Sequence, residues 1–69
     1  MAESSTHDLA AAHASRVSGD YETAHGLYRA IVECDSTAAD AWWGLGLTLM
    51  NMGEFEESIC CLEKAIELE

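Results

Sequence analysis

Proline is absent from this 69-residue chain, and lysine and arginine together number three against thirteen aspartates and glutamates. Without proline, no residue is barred from a helix interior by a missing N–H or a ring clash. Three scattered cations cannot displace the counterions condensed on nucleic acid, which excludes a nucleic-acid footprint. An anionic membrane surface repels the chain for the same reason. Long apolar runs are also missing, and no window approaches the roughly 18 residues of a membrane span. Residues 1–8 have neither a basic start nor an apolar core, so they do not read as a secretory signal. Cys34, Cys60 and Cys61 are odd in number and lack the spacing of a disulfide framework. Free thiols packed like small hydrophobes in a reducing, cytoplasmic setting are the expectation.

Alanine is abundant, and the β-branched residues are scattered rather than alternating. Alanine and unbranched side chains lose little freedom in helices, so the fold class is all-α. A chain this short buries only about 60% of its unfolded surface and depends on regular packing or association. The formal charge of −10 is uneven: residues 39–69 carry seven acids against Lys64, and residues 5–38 carry five against Arg16 and Arg29. Most of these acids read as solvated helix faces.

The chain repeats itself at thirty-four residues: Gly19 falls on Gly53, Asp20 on Glu54, Tyr21 on Phe55 and Glu22 on Glu56. Ala24 then falls on Ser58, Tyr28 on Leu62, Val32 on Ile66, Glu33 on Glu67 and Asp35 on Glu69. Each unit reads as two helices. Ser5 to Asp8 and Thr37 to Asp40 each place a hydroxyl three residues before an acid, a capping-box variant. The first helices are expected over about 6–18 and 38–52, and the second ones to about Cys34 and to Glu69. Gly19 and Gly53 suit left-handed caps, since glycine has no Cβ to clash there. Asp20 can cap the helix that follows, and Asp20 and Glu54 both complement its dipole. Links this short give antiparallel neighbours. The expected organisation is a disordered segment at 1–4, a hairpin at 5–38 and a second at 39–69.

The second unit carries Trp42, Leu45-Gly46, Leu49, Ser58, Leu62 and Ala65 at the spacing of a tetratricopeptide repeat, and it resembles that family. The resemblance spans most of the chain. Leu49 replaces the usual tyrosine and Ser58 the usual alanine, and the first unit has Asp8 for tryptophan and Ala11-Ala12 for Leu-Gly. It implies two antiparallel helical hairpins forming a fragment of a right-handed α–α superhelix. Ala12 and Gly46 would let the helices of a hairpin approach, with Ala24 and Ser58 small on the facing helix. Tyr21, Phe55, Tyr28 and Leu62 would fill the space between hairpins.

Helix 38–52 is apolar on two sides. Trp42, Leu45, Leu49 and Met52 form one stripe and Trp43, Leu47 and Met50 a second. By the resemblance, the second stripe lines a concave groove for a protein or peptide partner. Asn51 lies at its edge, Gly44 leaves space, and Leu9, His13, Arg16 and Val17 stand on the neighbouring helix. Alternatively, the stripe meets helices outside this sequence. Only Arg16 and Asn51 resemble a carboxylate-clamping set, so an apolar ligand is expected. A second open surface is Ile59, Leu62 and Ile66, where a further repeat or another copy of the chain would dock. Burying three such side chains is worth about 1.5–3 kcal/mol each.

No cofactor, metal or catalytic site is expected. His7, His13, His25 and the cysteines lack zinc-site spacing, and adjacent Cys60 and Cys61 diverge by about 100° on a helix. Gly44 and Gly46 lie inside a helix rather than in a phosphate loop. Cys34 and His25 stand about 13 Å apart along a helix axis, too far for a nucleophile pair.

Overall fold

A computed structural model describes residues 3–69, with side chains from Leu9 onward. The described residues form four helices: α1 (Glu3–Ser18), α2 (Tyr21–Cys34), α3 (Ala39–Asn51) and α4 (Phe55–Leu68). Helix α1 starts ahead of the expected position near Thr6, inside the segment read as disordered. No glycine or proline between Glu3 and Thr6 stops it. Residues 1 and 2, and the side chains of the Ser5–Asp8 capping box, lie outside the described residues.

The glycine caps form as the repeat implies. Gly19 and Gly53 have φ of 94° and 84°, and the Asp20 and Glu54 N–H groups reach back to the Ser15 and Leu49 carbonyls at 2.8 and 2.9 Å. Asp20 caps α2 by accepting from the Thr23 N–H at 3.4 Å. Glu54 occupies the same place before α4 without a side-chain cap. The capping box expected at Thr37 does not form. Thr37 donates its hydroxyl and its N–H to the Asp35 carboxylate instead, at 2.6 and 3.1 Å, and Ala38 becomes the N-cap of α3. An aspartate two residues upstream competes for the same hydroxyl and wins by closing a local turn. The Thr37 hydroxyl and N–H bonds hold the Asp35 carboxyl below its ordinary value.

Helix α3 is the centre of the packing. It lies against α2 on one side and α4 on the other, and it also reaches α1, while α1 packs on α2. That placement buries Ala41, Gly44, Leu45, Gly46, Thr48 and Leu49, which accounts for the core side of α3 but not for the stripe of Trp43, Leu47 and Met50. The hydrophobic core joins Ala12, Ala24, Tyr28, Ile31 and Val32 of the first hairpin to Ala41, Leu45, Leu49 and Cys61 of the second.

Two glycines set the interhelical distances. A Cβ placed on Gly46 would come within 2.6 Å of Leu62 Cδ2 and 3.3 Å of the Ser58 carbonyl oxygen. The α3–α4 contact is close enough for the Ser58 hydroxyl to donate to the Gly46 carbonyl at 2.7 Å, fully buried. Ala12 and Ala24, equally buried, are the corresponding small residues of the first hairpin. Gly44 serves the junction between hairpins: a Cβ there would collide with the Tyr28 ring. The space at Gly44 is therefore taken by Tyr28 and is not open to a ligand. Of the four residues expected between hairpins, Tyr28 fills that role and Tyr21 is half-buried. Leu62 packs on Gly46 within its own hairpin, and Phe55 is exposed, with none of the described residues stacked over it.

These contacts predict opposite outcomes for two glycines. Gly44→Ala should lower stability by about 1–3 kcal/mol through overpacking against Tyr28. Gly26, exposed in mid-α2 with open space around it, should gain about 0.5–1 kcal/mol on Gly26→Ala from helix propensity alone. Thermal melts of the two variants check the pair. Gly46→Leu should likewise cost about 1–3 kcal/mol by forcing α3 and α4 apart; a melt equal to wild type would refute that contact.

Candidate functional site

Three apolar residues leave the core side of α3. Trp43, Leu47 and Met50 follow at i, i+4 and i+7, so they share one face. Trp43 is 49% exposed, Met50 is 45% exposed and Leu47 is half-buried. Asn51 closes this stretch, with its Nδ2 donating to the Leu47 carbonyl at 2.9 Å. That bond leaves the amide oxygen of Asn51 as the group free to accept.

The residues expected on α1 divide into two sets. Val17 is exposed, whereas Leu9 is half-buried and packs against the core. His13 and Arg16 turn their polar ends to Tyr28. Arg16 Nε donates to the Tyr28 hydroxyl at 3.3 Å, and that hydroxyl is hydrogen-bonded to His13 Nδ1. The His13 and Tyr28 rings meet edge-on with centroids 5.5 Å apart. A tyrosine buried this deeply needs partners for its hydroxyl, and α1 supplies both. Arg16 and His13 thus serve the join of α1 to α2 as well as the surface. The sequence carried no local signal for this network, because its members stand twelve and fifteen residues apart.

The face expected for assembly changes composition. Ile59 and Ile66 are exposed on α4, but Leu62 is half-buried over Gly46. Phe55, also exposed, falls one turn before Ile59 on the same side. The open stripe is therefore Phe55, Ile59 and Ile66. Residues one repeat earlier show what covers such a stripe: Val32 is 7% exposed where its counterpart Ile66 is 66% exposed.

The described residues form depressions at two places that bear on these faces. One, of about 320 Å³, is lined by Asp40, Trp43, Ala65, Ile66 and Glu69, and it joins the two faces that the sequence presents as separate. The other, of about 260 Å³, lies where α2, α3 and α4 meet, and its walls include His25, Arg29, Val32, Trp42 and Cys61. Arg29 stands 3.6 Å from Glu33 at its edge, a helix-surface pair. Trp42 is anchored by its indole N–H, which donates to the Ser36 carbonyl at 2.8 Å. His25 shares this cleft with Cys61, not with Cys34. Among the described residues, no three of His, Cys, Asp and Glu gather as a metal set, and His7 lies outside the described side chains.

Four helices in two antiparallel hairpins, each hairpin closed by a glycine cap at Gly19 or Gly53 and the two sharing a buried core, define a helical-repeat scaffold. Residues 39–69, which hold α3 and α4, match the tetratricopeptide repeat family model, and the α1–α2 hairpin fits the same helical plan. A comparison with curated proteins returned no match. Tetratricopeptide repeats are scaffold elements of protein–protein interaction and are typically non-catalytic. No described helix is long and apolar enough to cross a membrane.

The three cysteines test the seating of α4. Cys34 and Cys60 are exposed and Cys61 is buried. Burial raises the Cys61 thiol pKa, and nearby Glu57 adds to the effect. A neutral-pH alkylating agent should modify Cys34 and Cys60 about tenfold faster than Cys61, a difference that denaturant erases. Peptide mapping by mass spectrometry reads the order.

Proposed function

We propose that this chain binds a protein segment along the open face of α3, with Trp43, Leu47 and Met50 as the apolar contact and Asn51 at its edge. The observation that carries this reading is the state of Trp43, a large aromatic left half-open on the helix at the centre of the packing. Aromatic and methionine side chains in such places are the usual anchors of protein contacts. Leu9, His13, Arg16 and Val17 of α1 form the neighbouring wall, with His13 and Arg16 held in position by Tyr28. The expected ligand is an apolar peptide or helix. The setting is a reducing one such as the cytoplasm, in keeping with three free thiols.

Self-assembly or extension of the array through α4 is a second reading, and the contrast between Val32 and Ile66 supports it. A stripe that the next helix covers in the first hairpin is left open in the second. Nothing in either reading calls for a cofactor.

The two readings separate by variant. Trp43→Ala should weaken binding of apolar peptides selected from a display library about tenfold or more, with the fold intact by circular dichroism. Ile66→Glu should instead alter the molar mass measured by light scattering, if copies associate through α4. Leu62→Glu is unsuited to this test, because Leu62 also supports the Gly46 contact. A folded monomer at every concentration would remove self-association, and peptide binding untouched by Trp43→Ala would remove the α3 face.

A further inference from the structure

Helices α3 and α4 are antiparallel, so the first turns of α3 lie beside the last turns of α4. The depression of about 320 Å³ sits there, lined by Asp40 and Trp43 from α3, by Ala65 and Ile66 from α4, and by Glu69 at the C-cap of α4. Its size is at the lower end of small-ligand sites, which span ~300–1,000 Å³. Three of its five lining residues are apolar: Ala65 is buried, Ile66 is exposed, and the Trp43 indole is half-open. The other two are exposed carboxylates, one on α3 and one at the C-cap of α4. Asp40 and Trp43 are three residues apart on α3, and Glu69, the C-cap of α4, follows Ile66 by three, so each carboxylate stands near an apolar surface.

We propose that the depression formed by Asp40, Trp43, Ala65, Ile66 and Glu69 is a subsite for an arginine side chain of the bound protein segment. This rests on the reading that the open face of α3 receives such a segment, and it specifies what that segment carries at one end.

Each part of an arginine has a counterpart here. Its methylene stem lies on Ile66 and Ala65, as long cationic side chains do when they cover apolar surface. Its planar guanidinium stacks on the indole face of Trp43, the ring that attracts cations most strongly. The donors at the edge of the guanidinium then face the carboxylates of Asp40 and Glu69. Lysine satisfies the charge but offers neither the stacking plane nor the fork of donors, so arginine is preferred. A neutral apolar side chain would gain the floor and leave the two carboxylates partly desolvated with no counter-charge, which disfavours it.

Charge also decides against a second copy of this chain as the occupant. The chain has three basic residues against thirteen acidic ones. Arg29 is paired with Glu33 and Arg16 is engaged by Tyr28, which leaves Lys64, a cation without the stacking plane or the fork of donors of arginine. Another copy would bring mostly acids to a site already framed by acids, whereas a basic segment brings the complement.

The test uses the full chain and two blocked pentapeptides, one of leucines around a single arginine and one with citrulline in its place. Citrulline keeps the shape and removes the charge. Binding is followed by the Trp43 indole proton in NMR titrations. The arginine peptide should bind about tenfold tighter at low salt, with most of that difference lost at high salt. Combining Asp40→Asn with Glu69→Gln should bring the arginine peptide down to the affinity of the citrulline one, and an unchanged melt shows that the fold survives. Equal affinities of the two peptides, or no effect of the paired substitutions, overturn the arginine subsite while leaving the apolar face of α3 in place. If neither peptide perturbs Trp43, the subsite and the binding face both fall.

Discussion

The contact between the Tyr28 ring and the backbone at Gly44 sets how the two hairpins stand against each other. Tyr28 is wholly buried, and its ring occupies the space that any side chain at position 44 would need. Its hydroxyl cannot be left unpartnered in that interior, so it draws Arg16 and His13 of α1 toward it. One side chain of α2 thereby fixes both its own hairpin partner and the helix of the next hairpin. Every surface described above inherits its position from that arrangement, including the half-open Trp43, which lies one residue from Gly44. The α3–α4 contact through Gly46 and Ser58 repeats the logic within one hairpin, with glycine again giving way to a larger neighbour.

Much of this fold could be read in the residues because its signals are local. Glycine at 19 and 53 is demanded by a left-handed backbone that other residues adopt only with strain, and the structure has both glycines in that conformation. Asp20 follows at the distance where a carboxylate meets the next helix's N–H groups. The failures arise where a second partner lies elsewhere. Thr37 has the right spacing to cap α3, but Asp35 claims its hydroxyl first. Phe55 and Tyr21 occupy equal positions in the repeat, yet only Tyr21 has a following hairpin beside it. Gly44 looks like vacant room in a groove until Tyr28 is placed. Repeat position fixes where a side chain points, and only the next element along the chain decides whether it is covered.

The candidate surface was legible in outline as a stripe of Trp43, Leu47 and Met50, since helical periodicity alone predicts it. Its relation to α4 was not. Asp40 and Glu69 are far apart in sequence, and nothing short of the antiparallel pairing brings them to one depression. The stripe on α3 and the open end of α4 are consequently neighbours, meeting at Trp43 and Ile66. A partner long enough to cross from one to the other would touch both, so the two readings of function draw on adjoining surface.

The adjacent tryptophans have a further consequence, which is optical. Trp42 and Trp43 diverge by about 100° around α3, and they report on different places. The indole N–H of Trp42 is tied to the Ser36 carbonyl, beside the junction of α2, α3 and α4. Trp43 looks outward over the depression shared with Ile66. Replacing either one leaves a chain with a single tryptophan, which can be excited selectively over Tyr21 and Tyr28: Trp42 alone follows the closing of the two hairpins, and Trp43 alone follows what arrives at the open face. Folding and binding can thus be watched through separate emissions in a protein of 69 residues, with no label attached.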